Sequence, residues 1–570
     1  MALTPTEVHQ KKKEITAPGA YFELNDVVLD GYTYSAYKHA PATLVDVFQA
    51  GRNHGDLEFM IYEGRRYSYT RFYAEVDALA AFLQHDLGVK KGDRLAIAMR
   101  NNPEWVISYA AGTLIGAIIV PINSWGKTEE LVYALKDSDS SILVCDPARL
   151  GLIEDSLEEL GITVVLAEAP ADQLCNGPVR RFSDCLEAGK GREYEVPNVE
   201  STDSCVILYT SGSTGFPKGV LHRHIALCQS LMNMFYLGYL LMELEGAREY
   251  RGGAERETPL LTVPLFHATG LLSGFLMPLQ MGHKAVMMYK WDTEKALELI
   301  QEEKITGVSS VPAVIQDLLR HPKFDDYETS SLIRVAAAGA ATPAGLPDLI
   351  REKCGNPSRS AGWGMTETLA VGSTMSGGVF DLSPGSAGLV SPIVDLRFLD
   401  VESEDGASVH GGEMEIYSVC CTQGYWQKPE ANAETFDDER WMKTGDIGRI
   451  DEDGFLHITG RLKEIVIRGG ENIYPGEIEQ AVYEISQVKE NVVFGVPDEA
   501  MGEELAMVLY LVEGESLSEE DLRAYLKSRL ASYKVPKNIR FSKEPLAQNA
   551  SGKLHKLKVR EAFLADGDFS

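Results

Sequence analysis

The chain has 570 residues, 44% of them hydrophobic and 24% charged, with 54 Lys plus Arg against 84 Asp plus Glu and a formal net charge of −30. That length exceeds one ordinary core and implies more than one domain. So acidic a balance excludes a non-specific nucleic-acid binder and electrostatic docking on anionic lipid, while allowing a local basic pocket.

In chain order, Met1–Ala20 is polar, carries Lys11, Lys12 and Lys13, and lacks the apolar core of a secretory leader. Leu79, Phe82 and Leu83 stand at helical spacing, and the turn Lys91-Gly92-Asp93 leads into a strand at Arg94–Met99. The longest uncharged stretch, Trp105–Ile122, falls short of the ~20 apolar residues of a spanning helix, so no transmembrane segment is expected. It reads as a buried helix (Trp105–Gly116) followed by a buried strand (Ala117–Pro121). Ser141–Cys145 and Thr163–Leu166 are further apolar strands, and Leu231–Met242 is an apolar segment that reads first as core and second as an acyl tunnel. Strands alternating with helices predict an α/β fold with parallel sheets flanked by helices.

Past Gly460 the pattern changes to a charged strand (Lys463–Arg468), a helix (Pro475–Tyr483) and two strands (Glu490–Val496, Leu505–Leu511). A helix then starts at Ser518, with Asp521 placed for a capping box and Leu522, Tyr525, Leu526 and Leu530 on its apolar face. The organisation predicted is a large N-terminal domain (1–460) of sheets flanked by helices, plus a small α+β C-terminal domain (461–570). Eight scattered cysteines without metal-like spacing predict reduced thiols in a cytoplasmic compartment.

The strongest chemical signal is Tyr209-Thr-Ser-Gly-Ser-Thr-Gly-Phe-Pro-Lys218-Gly219, which follows a short strand at Cys205–Tyr209. Hydroxyls of Thr210, Ser211, Ser213 and Thr214 alternate with Gly212 and Gly215, which let backbone N–H groups approach an anion, and Lys218 adds positive charge. That combination suits a polyphosphate. It is not a Walker loop, because Pro217 stands where that motif needs a second glycine.

The string resembles the phosphate loop of the adenylate-forming superfamily: acyl-CoA synthetases, luciferases and peptide-synthetase adenylation domains. Other motifs of that superfamily follow in order over nearly the whole chain. Val263-Pro-Leu-Phe-His267-Ala-Thr-Gly270 resembles the border of the acyl pocket, which implies that His267 lies near ATP and the carboxylate. Ala336-Ala-Ala-Gly339-Ala340-Ala341 resembles the small-residue turn on adenine, more alanine-rich than in many relatives. Gly362-Trp363-Gly364-Met365-Thr366-Glu367-Thr368 implies an adenine platform at Trp363 beside Gly364, with Thr366 at the α-phosphate. Glu367, together with Thr214, would hold Mg2+, a hard cation that prefers oxygen ligands. Lys443-Thr-Gly-Asp446 resembles the ribose turn, Arg461 would reach ribose or phosphate, and Lys463 resembles the hinge of a mobile small domain. Ile467-Arg-Gly469-Gly470-Glu-Asn-Ile-Tyr-Pro475 resembles the form in fatty-acid-type CoA ligases, with Gly469 and Gly470 turned toward coenzyme A. Lys553, after Ser551-Gly552, resembles the lysine of adenylation.

The resemblance implies an ATP-dependent ligase that joins an apolar carboxylic acid to coenzyme A through an acyl adenylate. The acid would be medium- or long-chain, aryl or alicyclic, because Thr269, Gly270, Ser309, Val311 and Gly339 are mostly small. The expected partners are ATP, Mg2+, coenzyme A and the acid, with a homodimer compatible. Transfer to a carrier protein and a non-catalytic nucleotide binder are the alternatives. His267 following Phe266, where amino-acid-activating relatives place Asp, disfavours an amino acid.

Overall fold

The computed structural model describes residues 3–170, 175–210, 217–245, 256–337, 345–355, 359–402, 408–469, 471–498, 501–548 and 553–565. Its centre is two layered sheets. The first has eight strands, with Arg94–Ala98 between Ile118–Pro121 and Ile142–Cys145, all parallel. Thr163–Leu166 and Val179–Arg181 extend it on one side in parallel. On the other side Ser204–Tyr209 is parallel to Ile118–Pro121, and Gly219–Arg223 and Gly424–Tyr425 add antiparallel edges. The second sheet has six strands, parallel except for the hairpin Glu58–Tyr62 and Arg65–Ser68.

Helices Tyr69–His85 and Pro103–Leu114 lie between the sheets and share one core with both, including Phe59, Leu79, Leu95, Ile97, Trp105 and Met287. The outer face of the first sheet is covered by Thr128–Ser138 and its neighbours, and that of the second by Thr293–Glu303, Pro312–Leu319 and Leu346–Cys354. Continuous apolar strands such as Ile142–Cys145, buried at every position, are what a doubly covered parallel sheet requires. The buried helix expected at Trp105–Gly116 begins two residues earlier, because Asn102 caps it by accepting from Trp105 N at 2.8 Å and Pro103 fits its first turn.

Helix His224–Glu245 is long and apolar enough to cross a membrane by length and composition, yet 61% of its apolar window is buried within the protein. Leu227 and Leu231 enter the inter-sheet core, while Tyr236 and Leu240 enter a second core beneath Tyr37 and Ile416. Beside Tyr236 and Leu240 lies a cavity of about 30 Å3, room for little more than a water and none for an acyl chain. Core is the reading these contacts support. None of the eight cysteines is joined in a disulfide.

An antiparallel sheet of Val394–Glu402, Ser408–Ser418, Met442–Ile450 and Leu456–Arg461 completes the large domain. The small domain has a five-stranded sheet and its own apolar clusters, all of whose residues lie at or beyond Val466. Pro475–Tyr483 is helical as expected. The strand expected at Lys463–Arg468 is shorter: Leu462–Glu464 is a 3-10 turn and pairing begins at Val466. Ser518 accepts from Asp521 N at 3.0 Å to cap Glu519–Arg529, on which Leu522 and Leu526 are buried and Tyr525 and Leu530 only half-buried.

Candidate active site

Tyr209 pairs with Gly219 across an antiparallel ladder, so the ends of the glycine-rich segment are brought together. Thr210 N donates to Lys218 O at 3.0 Å and closes its base. Ser211, Gly212, Ser213, Thr214 and Gly215 lie outside the described residues, as do Gly339, Ala340, Ala341 and Gly470. Lys218 is exposed and its ammonium stands 4.6 Å from the centre of the Tyr425 ring.

That tyrosine reaches the next group. Its hydroxyl donates to Glu367 Oε1 at 2.8 Å. Glu367 is 7% exposed, and burial raises its carboxyl above the usual range while the tyrosine hydrogen bond opposes the shift. The turn that carries it is held from several sides. His222 Nε2 meets Thr366 O at 2.9 Å, Thr422 N donates to Glu367 O at 2.7 Å, and Ser230 donates to Leu369 O at 3.1 Å. Leu369 and Ala370 both adopt left-handed φ, of 53° and 60°. Such conformations cost energy in residues with a Cβ and persist where surroundings over-determine them.

A second corner forms around Asp446, which is 4% exposed. Trp363 Nε1 donates to its Oδ2 at 2.7 Å, and Arg461 Nε lies 2.9 Å from its Oδ1. Asp446 and Arg461 face each other as ladder partners, and Trp363 reaches over from a separate strand, Ser360–Trp363. Gly372 leaves room for the indole, since a Cβ there would meet the ring at 2.5 Å.

His267 lies within electrostatic reach of Lys553 of the small domain. It follows strand Pro259–Leu261 and precedes a π-helix, Gly270–Leu276. Single π turns concentrate at functional positions. Burial, then the nearby charge of Lys553, pushes the imidazole down to about 4, so it is neutral at pH 7. Its Nε2 is buried without a hydrogen-bond partner. Lys553 is lowered below the usual lysine range by desolvation and then by Arg461. Lys553, Arg461 and His267 therefore share one electrostatic environment. Thr269 is half-buried beside His267, whereas Ser309 is exposed and uses its carbonyl to accept from Thr262 Oγ1 at 2.7 Å.

Lys463 is exposed in the 3-10 turn, and Gly469 has a left-handed φ of 59° at the tip of the hairpin formed by Val466–Arg468 and Glu471–Ile473. Lys463 lies two residues past Arg461 in a turn that packs against the strand of Asp446, whereas Gly469 belongs to the small domain's own hairpin. Tyr425, Thr422 and His222 were invisible to motif reading. Tyr425 meets Glu367 across 58 positions, and no spacing rule connects them.

The family of AMP-binding enzymes matches residues 47–426, and its C-terminal domain matches residues 477–553. The chain is 32% identical over 494 residues to a feruloyl-CoA synthase of Amycolatopsis sp, covering 86% of this chain and 94% of that one. It is 31% identical over 533 residues to a long-chain-fatty-acid–CoA ligase of Bacillus subtilis (strain 168), covering 89% and 92%. Among solved structures, ATP-bound MatB from Rhodopseudomonas palustris superposes with a TM-score of 0.77 at 26% identity, covering 90% of this chain and 99% of that one. The anthranilate CoA ligase AuaEII in complex with anthranoyl-AMP superposes with a TM-score of 0.80 at 25% identity, covering 92% and 98%. The chain belongs to the AMP-binding enzyme family and is an AMP-forming acid–thiol ligase.

Proposed function

We propose that this ligase activates an apolar carboxylic acid, medium- or long-chain, aryl or alicyclic, and transfers it to coenzyme A. The observation that carries the reading is the shared electrostatic environment of Lys553, from the small domain, with His267 and Arg461, beside the Asp446 and Glu367 corners.

In the first half-reaction a carboxylate oxygen attacks the α-phosphate of ATP, forming a P–O bond as the bond to pyrophosphate breaks. Trp363 would stack on adenine, and Asp446 with Arg461 would hold the ribose. The glycine-rich loop and Lys218 would cradle the departing phosphates. Lys553 would neutralise charge between the incoming carboxylate and the α-phosphate, where fixed charge is most effective. Neutral His267 can offer its unpartnered Nε2 as a hydrogen-bonding group without adding charge.

The site fits magnesium. Glu367 is a buried carboxylate whose pKa is raised by desolvation, a shift opposed by the Tyr425 hydrogen bond. Among the described residues no cluster of three His, Cys, Asp or Glu forms a cage. Magnesium characteristically takes one or two carboxylates and completes its shell with phosphate and water. When bound it supplies charge neutralisation on the phosphates.

In the second half-reaction the thiol of coenzyme A attacks the acyl carbon and AMP leaves. The small domain, beginning near Arg461, would turn about Lys463, withdraw Lys553 and present the face that carries Gly469. Few residues need absorb such a hinge motion. The acid class rests on the small residues Thr269 and Gly270 that follow His267 in the chain and on the likeness to feruloyl- and long-chain-fatty-acid–CoA ligases.

Acid-dependent pyrophosphate exchange over a panel of fatty, aryl, alicyclic and short polar acids tests the proposal, followed by thioester formation with coenzyme A. Exchange supported by acetate or malonate alone would sink the apolar reading. Exchange without any thioester on coenzyme A would replace it with a carrier-protein acceptor.

A further inference from the structure

Three consecutive residues at the carboxyl end of strand Arg94–Ala98 carry out three different tasks. Asn102 caps the following helix. Arg100 lies 4.8 Å from the centre of the Trp125 ring. Asn101 reaches out of the first sheet to the loop that follows strand Pro259–Leu261 of the second. There its Nδ2 donates to Val263 O at 2.9 Å and its Oδ1 accepts from Leu265 N at 2.9 Å. One planar group with a donor and an acceptor thus pairs with the loop as a strand neighbour would.

The loop so held is the one that presents His267. His267 N donates to Pro264 O at 3.1 Å, and Leu271 N donates to His267 O at 2.9 Å. Gly270 packs so closely on Pro264 that a Cβ would stand 2.1 Å from its carbonyl oxygen. The far side is braced by aromatic contacts. Trp125 meets Phe266 edge-on at 5.5 Å, and the Phe266 and His267 rings are 4.5 Å apart. Asn101 and the Arg100–Trp125–Phe266 stack therefore approach one short segment from two directions. The loop's backbone is fixed relative to the first sheet, although the chain reaches it from the second.

We propose that Asn101 is a positioning residue for adenylation, tying Val263 and Leu265 so that the unpartnered Nε2 of His267 is held toward the reacting groups. This rests on the role proposed above for His267. Asn101 touches no substrate; its effect passes through the loop.

The test is a double-mutant cycle on the adenylation half-reaction, with thioester formation from supplied acyl adenylate as control. Asn101→Ala removes both hydrogen bonds. Asn101→Asp keeps the shape but places a carboxylate against the Val263 carbonyl, and serves if the alanine variant fails to fold. Either should lower the adenylation rate constant about tenfold to a hundredfold, the loss expected for partly buried hydrogen bonds that position a reacting group. The KM for ATP should stay within about twofold, and thioester formation should remain near wild type. In a His267→Ala background the same substitutions should add almost nothing. Multiplicative losses in the double variant, equal slowing of both half-reactions, or an unchanged adenylation rate overturn the proposal. A wild-type protein without acid-dependent pyrophosphate exchange would instead sink the function itself, so the two failures are distinguishable.

Discussion

The two sides of the site are built differently. On the large-domain side the two carboxylates are buried and braced: Asp446 between Trp363 and Arg461, Glu367 under Tyr425 and within a turn held by His222, Thr422 and Ser230. On the small-domain side Lys463 and Gly469 are exposed, and Lys553 stands in the chain between two anchored residues, Gln548 and Lys556. Gln548 there donates to Glu490 at 3.1 Å, and Lys556 pairs with Glu464 at 2.6 Å and Glu479 at 2.9 Å. The contrast teaches a division of labour. On the proposed mechanism one side would be a preorganised mould for the nucleotide, and the other would deliver a charge that can be taken away again.

If that division is right, removing the delivered charge should have the largest and most selective effect. Lys553→Ala should slow adenylation by about 10²–10³-fold, the scale on which single transition-state contacts act. Thioester formation from supplied adenylate should survive far better. Equal collapse of the two rates would erase the distinction between the sides. Next comes the pivot. Lys463→Pro fixes φ and removes an N–H, so folded variant should adenylate normally yet lose thioester formation by roughly a hundredfold. Single-turnover kinetics of each step would decide, and wild-type transfer would move the pivot elsewhere.

Acid should separate the two sides thermodynamically. His222, His224, His267 and His283 are all held at about 4, chiefly by burial, and all belong to the large domain. A histidine whose folded pKa is depressed contributes stability that is present above its unfolded value and lost as pH falls through the folded one. Between pH 6.5 and 4 the large domain should therefore weaken, by up to roughly 2 kcal/mol per histidine at pH 5. The small domain should hold. Hydrogen exchange resolved by segment would show parallel loss in both domains if the assignment were wrong. The smallest effect expected is at the metal. Glu367→Gln keeps the Tyr425 contact but removes the charge, so the magnesium needed for half-maximal adenylation should rise about tenfold. An unchanged titration would remove Glu367 from that role.

Much of this was legible in the sequence because it is local. The strand Thr163–Leu166 and the helix Pro475–Tyr483 fall where periodicity and flanking residues put them. The short motifs around Lys218, Glu367 and Asp446 carry their own chemistry. What could not be read is whatever depends on long-range meeting. Tyr425 finds Glu367, and Asn101 finds Val263, through a sheet order in which neighbours in space are far apart in the chain. The start of pairing at Val466 rather than Lys463 is a related case. Lys463 and Glu464 precede an apolar run that reads as one strand with them, but the chain turns there to leave one sheet and enter another.

The Asp446 corner also bears on which sugar the enzyme accepts. A carboxylate offers about four acceptor directions. The indole of Trp363 takes one and the guanidinium of Arg461 another, from opposite oxygens. Two directions remain, and a ribose brings two hydroxyl donors. A 2′-deoxyribonucleotide would fill only one and leave a lone pair of a buried anion facing nothing. If Asp446 holds the ribose as proposed, selection of ATP over its deoxy counterpart would fall to this corner, remote from the bond being made, and would be tightened by the indole proposed as the platform for the base.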